Sequence, residues 1–241
     1  MASSLYDEDL ALVHIAGYGF HWEQAAPFIL ETLRARDVRD GLIVDLGCGG
    51  GQWLRVLSDA GYDVCGVDAS PTMIRECRRL VPEARLVHGS FVTAALPRCR
   101  AVTSLGEPLN YTRGKRDIQR VIARVAKALE PGGLFIFDVR VPAARHVAPV
   151  THVRQGEDWA CISCTTENRE RQTLRREITT FRRMGTRYRR RHATHVLQIY
   201  PPDEVERWLR RKGFTVRCYR GYGDYRFAGR QMAFVCRKGA R

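Results

Sequence analysis

The stretch Gly-Leu-Ile-Val-Asp-Leu-Gly-Cys-Gly-Gly-Gly, from Gly41 to Gly51, constrains the fold more than any other part of this chain. Its short apolar run has no polar alternation, which suits a strand covered on both faces inside a parallel sheet. The glycines that follow permit a tight turn and a close approach of backbone to ligand. Residues 52–60 (QWLRVLSDA) then read as a helix ended by Gly61, whose N-terminus points its N–H groups into the turn. The same unit recurs. YDVCGVDAS is a second buried strand, and PTMIRECRRL a second helix with Ser70 at its N-cap and Pro71 in its first turn. RLVHGSF and RAVTSLGEPLNY supply two more strands. Residues 116–129 form an amphipathic helix with Ile118, Val121, Ile122, Val125 and Leu129 on one face, and EPGG turns the chain into LFIFDVRV. Strands alternating with helices predict an α/β fold with a parallel sheet and right-handed crossovers.

The alternation stops near residue 142. Three strand-like runs follow, at 158–166, 173–183 and 187–199, then a helix in PPDEVERWLRRKGF and strands in FTVRCYR and QMAFVCR. The expectation is one domain over residues 1–241. Residues 1–37 should form a helical cap, with a helix over 22–36, and residues 150–200 an inserted antiparallel β lid. The N-terminus has no basic start before an apolar run, and no stretch approaches the ~20 apolar residues of a membrane span, so a cytoplasmic protein without membrane attachment is expected. Eight cysteines scattered through core-like segments fit that compartment as buried thiols. Cys161 and Cys164 form a lone CxxC with no second pair to complete a zinc site, so no metal is expected.

The glycine loop selects among ligands. A nicotinamide or flavin fingerprint would need its third glycine at position 52, which is Gln52, and no Gly-Lys-Ser/Thr follows for a P-loop. Asp45 is poorly placed beside a pyrophosphate and well placed for a cationic amine. Both features disfavour a dinucleotide oxidoreductase. Asp68 ends the second strand, where a carboxylate can accept hydrogen bonds from both ribose hydroxyls of an adenosine.

Together these residues resemble the class I S-adenosylmethionine-dependent methyltransferases, of the small-molecule type. The resemblance covers residues 41–140 and, more loosely, 201–238. It implies a Rossmann-like seven-stranded sheet, mostly parallel with the last strand antiparallel, helices on both faces, and S-adenosyl-L-methionine as cofactor. Asp45, Gly47 and Gly49, with Cys48 between the glycines, match the family's first motif. Asp68 matches its second-strand acid, and Gly89-Ser90-Phe91 its third-strand segment, although an Asp is common where Ser90 stands. By that resemblance Ser90 and the Phe91 backbone edge the adenine, Ala69 and Met73 pack against adenine and ribose, and Leu105 lies beside the cofactor.

The residues from Thr103 to Tyr111 occupy the family's fourth motif, beside the methyl donor. Leu-Gly-Glu-Pro replaces the [DNS]-P-P-[FYW] of nucleic-acid amino-methyltransferases, which argues against that class. Glu107 is the first candidate to contact the acceptor, as a base or as an anchor for an amine, with a structural cap as the alternative. Asn110 and Tyr111 are its neighbours in the substrate set. Tyr6, His14, Tyr18, Phe20, His21 and Trp22 cluster near the N-terminus. Tyr18 is expected at the cofactor and His14 at the substrate, core packing being the bland alternative. His195, near the end of the inserted sheet, is the candidate base near neutral pH. The formal charge of +14 favours anionic partners. The leading reading is methyl transfer to N, O or C of a small-molecule acceptor, itself acidic if the arginines meet it. The other reading is an RNA or protein methyltransferase that uses the basic insertion, which the lack of an RNP-type or zinc-ribbon motif disfavours. A homodimer through the same insertion is a further expectation.

Overall fold

The structure is a computed structural model and describes residues 6–239. It opens with α1 (Glu8–Gly17), capped by Asp7, whose carboxylate accepts the Leu10 N–H at 2.8 Å, and α2 (Phe20–Ala35). Alternating elements follow: β1 (Leu42–Leu46), α3 (Gln52–Asp59), β2 (Asp63–Asp68), α4 (Pro71–Leu80), β3 (Arg85–His88) and β4 (Cys99–Ser104). A short 3-10 turn (Pro108–Tyr111) leads to α5 (Lys115–Ala128) and β5 (Leu129–Arg140). The inserted strands are β6 (Val150–Gln155), β7 (Trp159–Asn168), β8 (Thr173–Met184) and β9 (Arg187–Gln198). The chain returns through α6 (Pro202–Arg210), β10 (Phe214–Tyr219), a small hairpin of β11 (Gly221–Tyr222) and β12 (Tyr225–Arg226), and β13 (Gln231–Lys238).

The main sheet has seven strands in the order β10-β13-β5-β4-β1-β2-β3. β1 pairs parallel with β2 and β4, and β4 pairs parallel with β5, while β13 runs antiparallel to both β5 and β10. This is the expected Rossmann-like architecture. One face buries Ile118, Val121, Ile122 and Val125 of α5 with Leu209 of α6, and the other buries Ile29 and Leu33 of α2 with Leu54 and Leu57 of α3. Each fully buried aliphatic side chain contributes about 1.5–3 kcal/mol. Chain order reverses between β1 and β4, which opens a crevice at their C-terminal ends.

The insertion is a four-stranded antiparallel meander, β6-β7-β8-β9. The sequence reading misses β6, because all six of its residues are exposed and it shows no apolar alternation. Of the two helices of segment 1–37, α1 packs on this sheet, whereas α2 belongs mainly to the main sheet's helical layer and touches the insertion where Arg154 lies over Phe20. The meander and α1 share an apolar seam of Leu10, Val13, Cys161 and Ile178. Gly17 is required at one point of this junction, since an added Cβ would sit 2.4 Å from the Trp159 indole. Asp9, almost fully buried, takes Arg182 at 3.1 Å, Arg189 at 2.5 and 2.7 Å, and Arg191 at 3.8 Å. Burial works to raise its pKa, but the hydrogen bonds from Arg189 and Arg182 outweigh it and hold the carboxyl below its ordinary value. Asp9→Asn should therefore loosen α1 from the roof. Hydrogen exchange over residues 8–17 should then quicken about tenfold, with a smaller difference in high salt. Among the described residues no helix is long and apolar enough to cross a membrane.

Candidate active site

The glycine turn is held by backbone geometry. Gly47, Gly49 and Gly51 have φ of 76°, 53° and 88°, values a side chain rarely tolerates. A Cβ on Gly47 would meet Pro108 at 2.6 Å, and one on Gly51 would meet the Cys77 sulfur at 2.5 Å. A Cβ on Gly49 would meet only the Met73 sulfur, at 4.0 Å, so this glycine borders open space. Asp68 accepts the N–H groups of Gly49 (3.0 Å) and Ser70 (2.8 Å), which fixes its carboxylate at the mouth of the crevice. Asp45 is buried and accepts the Thr103 hydroxyl at 2.7 Å; that hydroxyl in turn accepts the Trp53 indole N–H at 3.1 Å. Burial pushes the Asp45 carboxyl up to about 7, the Thr103 bond opposes this, and the charge of Asp68 adds to it. A buried carboxyl with one hydrogen-bond partner gains from a cation. The crevice thus fits a ligand bearing an ammonium and a ribose.

The turn after β4 is built on a second buried acid. Asp138, at the C-terminal end of β5, accepts the N–H of Gly106 at 3.0 Å and of Glu107 at 2.8 Å. Glu107 adopts a left-handed φ of 65° and aims its buried carboxylate at two cations. Arg176 of β8 donates to Oε1 at 2.5 Å. The Arg140 Nε lies 3.0 Å from Oε2 as an ion pair without hydrogen-bond alignment. Burial alone would raise the Glu107 pKa, but the charges of Arg176 and Arg140 outweigh it and hold it below the usual carboxylate range.

Above this turn α1 and the inserted sheet bring several aromatic and histidine rings together. The Tyr111 hydroxyl lies 2.9 Å from Nδ1 of His195, and Tyr6 hydrogen-bonds Tyr111. Ring contacts at 5.3 Å join Tyr6 to His14, Tyr6 to His195, and His14 to Tyr18. Burial and the positive charge of Arg176 push the His14 ring down to about 4, so it is neutral at physiological pH.

Residues 43–133 match the model of a methyltransferase domain. Those residues carry a methyltransferase domain. Over 73% of its length the chain is 27% identical to YqeM of Bacillus subtilis, provisionally named a methyltransferase, and covers 74% of that protein. It is also 27% identical to the dTDP-3-amino-3,4,6-trideoxy-α-D-glucopyranose N,N-dimethyltransferase of Streptomyces venezuelae, over 56% of this chain and 58% of that one. In fold it is similar to the SAM-bound amino pentose methyltransferase CalS10 of Micromonospora echinaspora, with a TM-score of 0.79 at 21% identity, covering 99% and 100% of the two chains.

The methyltransferase domain gathers Asp45, Gly47, Gly49 and Asp68 at one crevice, and the 105–111 turn, His14, Tyr18 and His195 at its roofed side. Met73 is buried at the loop, and Gly89 donates its N–H to the Asp68 carbonyl at 2.8 Å. Ala69 lies on the Asp68–Ser70 turn, where His88 reaches its carbonyl at 3.2 Å. Phe91 and Leu105 are half-buried, packed against opposite core clusters.

Several of the expected site residues have side chains engaged within the protein. The Cys48 side chain turns away beneath β2, against Gly66 and Leu54, and leaves only backbone to the ligand. The Ser90 hydroxyl accepts the Val92 N–H at 3.2 Å and so caps its own turn. Tyr18 sends its hydroxyl to the Cys161 sulfur on the roof at 3.7 Å, not toward the glycine loop. Asn110 is engaged by backbone: it donates to the carbonyls of Arg140 and Gln198 and accepts the Arg140 N–H, so its side chain staples β5 to β9. A carboxylate held ionised by two arginines takes up a proton poorly, which favours the anchor alternative for Glu107 over the base. Sequence reasoning missed Arg176, Arg140 and Asp138. The signal for Arg176 was present, since Leu174, Arg176 and Ile178 share one strand face and the outer two are core.

Proposed function

We propose that this methyltransferase moves a methyl group from S-adenosylmethionine to an amine nitrogen of a small, sugar-like acceptor. The acceptor lies between the β4 turn and the roof. Oε2 of Glu107 carries the reading: it is buried beside Arg140, and among the described residues no donor is aligned on it. An N–H of the acceptor would satisfy it. When bound, the cofactor supplies an electrophilic sulfonium methyl. Asp45 holds its ammonium and Asp68 its ribose hydroxyls. The chain's remaining task is to orient the nucleophile in line and exclude water. Burial and the positive field of Arg176, which keep His14 neutral, also disfavour an ammonium there, and so keep an acceptor amine in its nucleophilic form. Neutral His14 can then accept a hydrogen bond from the acceptor and so orient it, and the methylated nitrogen gives up its proton to solvent.

The aminosugar N,N-dimethyltransferase relative and the amino pentose methyltransferase of the same fold support an amine acceptor. The nucleic-acid reading is weakened because Arg182, Arg189 and Arg191 are engaged by Asp9. Mass spectrometry after incubation with S-adenosylmethionine and a panel of dTDP-linked amino sugars should show the gain of a methyl group. Methylation of RNA but of no amino sugar would overturn the reading. Asp68→Ala should lose charge-assisted hydrogen bonds to the ribose of about 1.5–3 kcal/mol each, read by calorimetry as weaker cofactor binding. Unchanged affinity would remove Asp68 from the site.

A further inference from the structure

Asp138 is a fully buried carboxylate that ends the apolar run Phe135-Ile136-Phe137 in the middle of the main sheet. Desolvating a carboxylate there costs several kcal/mol, and an apolar residue would serve sheet packing better. The charge is instead surrounded by donors from separate parts of the chain. Besides the N–H groups of Gly106 and Glu107, it accepts from the Tyr222 hydroxyl at 3.1 Å, the Gln231 amide at 3.2 Å and Nε2 of His21 at 3.1 Å. Because a carboxylate only accepts, Nε2 carries the hydrogen. Nδ1 of the same ring meets the Tyr225 hydroxyl at 3.0 Å, and the ring stacks on Phe227.

The two amides held by Asp138 belong to consecutive residues with left-handed φ, 82° at Gly106 and 65° at Glu107. A non-glycine residue in that region costs on the order of 1 kcal/mol and persists only where its surroundings enforce it. The turn so enforced delivers Glu107 to Arg176 and begins the short helix that carries Tyr111. It lies against His21 as well: a Cβ on Gly106 would be 3.7 Å from that ring.

We propose that Asp138 and His21 are positioning residues for methyl transfer, a clamp that sets the Gly106–Glu107 turn and through it the acceptor-facing Glu107 and Tyr111. The acceptor part of this inference rests on the function proposed above. His21 joins the clamp to α2, and Tyr222 and Tyr225 join it to the β11–β12 hairpin. The groups that face the ring are Asp138, Tyr222 and Tyr225, with Glu107 beyond them. Burial works against the charged ring, but the charge and hydrogen bond of Asp138 outweigh it, so His21 stays protonated to higher pH than an ordinary histidine. While Asp138 is ionised, the ion pair's contribution is therefore full below the ordinary histidine value and is lost as pH rises through the elevated one.

Two variants separate positioning from folding. His21→Ala removes the donor, whereas His21→Gln keeps an N–H for Asp138 and an acceptor for Tyr225 without a titrating group. His21→Ala should leave the cofactor Kd within roughly twofold, lower kcat about tenfold or more, and speed hydrogen exchange at the Gly106 and Glu107 amides. His21→Gln should restore most of the kcat and the slow exchange, and flatten the alkaline limb of the kcat profile. Unchanged exchange at the two amides in His21→Ala, a kcat within roughly twofold of the parent, or a glutamine variant no better than alanine would overturn the clamp. If the parent methylates no amino sugar, the proposed acceptor falls, while the exchange rates still decide the clamp.

Discussion

Glu107→Gln should destabilise the protein by about 3 kcal/mol and lower turnover at least about tenfold, with cofactor affinity nearly unchanged. The carboxylate is buried between Arg176 and Arg140, whose side chains are 19% and 22% exposed, so little solvent is at hand to screen what is lost. The substituted amide would keep the shape and can still accept one hydrogen bond from Arg176. It cannot balance two guanidinium charges. Burial opposes the Arg176 charge, while Glu107 and Tyr111 hold its pKa above the ordinary value, so the group cannot escape by releasing a proton. Breaking a buried pair from one side leaves an uncompensated charge, at a typical cost of about 3–5 kcal/mol. The sign of the accompanying pH effect follows from the lowered Glu107 pKa. A depressed carboxyl contributes stability above its unfolded-state pKa and loses it as pH falls through the folded value. Urea titrations at neutral and acidic pH should show the gap between parent and variant narrowing in acid. A gap that stayed constant with pH would mean that the pair is not what the substitution removed.

Asn110→Ala is the other large effect expected, and it belongs to stability and not to recognition. The side chain occupies both its N–H donors and its oxygen with the backbone of Arg140 and Gln198. Alanine would take three hydrogen bonds from part-buried backbone of two strands, leaving the Arg140 carbonyl only its longer bond from Tyr200, at about 1 kcal/mol or more each, for a total of about 3 kcal/mol. In a chain of this size that lowers Tm by about 6–12 °C. Asn110→Asp should be worse, because it sets a carboxylate oxygen against two carbonyls. Calorimetric scans of both variants check the order. A variant with unchanged Tm but raised acceptor KM would return Asn110 to the substrate.

The legible part of the molecule was the part made by short-range pattern. The glycine turn, Asp68 and the Ser70 cap announce themselves because their spacing along the chain is set by one strand, one turn and one helix. The roofed side of the site does not work that way. Glu107 was visible as a loop acid, but its partner Arg176 lies 69 residues away on another sheet. Without that partner a base, an anchor and a cap look alike. Arg176 was hidden by company: its neighbours Arg175, Arg182 and Arg183 made the whole strand read as a basic surface, although alternation puts Arg176 on the buried face. Asn110 misled for the opposite reason. An amide next to a candidate active-site acid suggests recognition, and only the meeting of the ends of β5 and β9 around it shows that backbone consumes it. β6 carried no apolar alternation to find.

β13 follows every other strand in chain order, yet it sits between β5 and β10 inside the main sheet. Its Phe234 ring stacks on Phe137 at 5.0 Å. The cradle formed by β1, β2 and their glycine turn is local in sequence and can assemble early. The sheet as a whole cannot close until its final segment threads between two strands already made. β10 has no place to pair before then, and the Gln231 contact to Asp138 is missing until the same moment. Completion of the fold and maturation of the clamp are therefore one kinetic event. A chain shortened by that single segment should retain helices and collapsed bulk while failing to reach a unique native state.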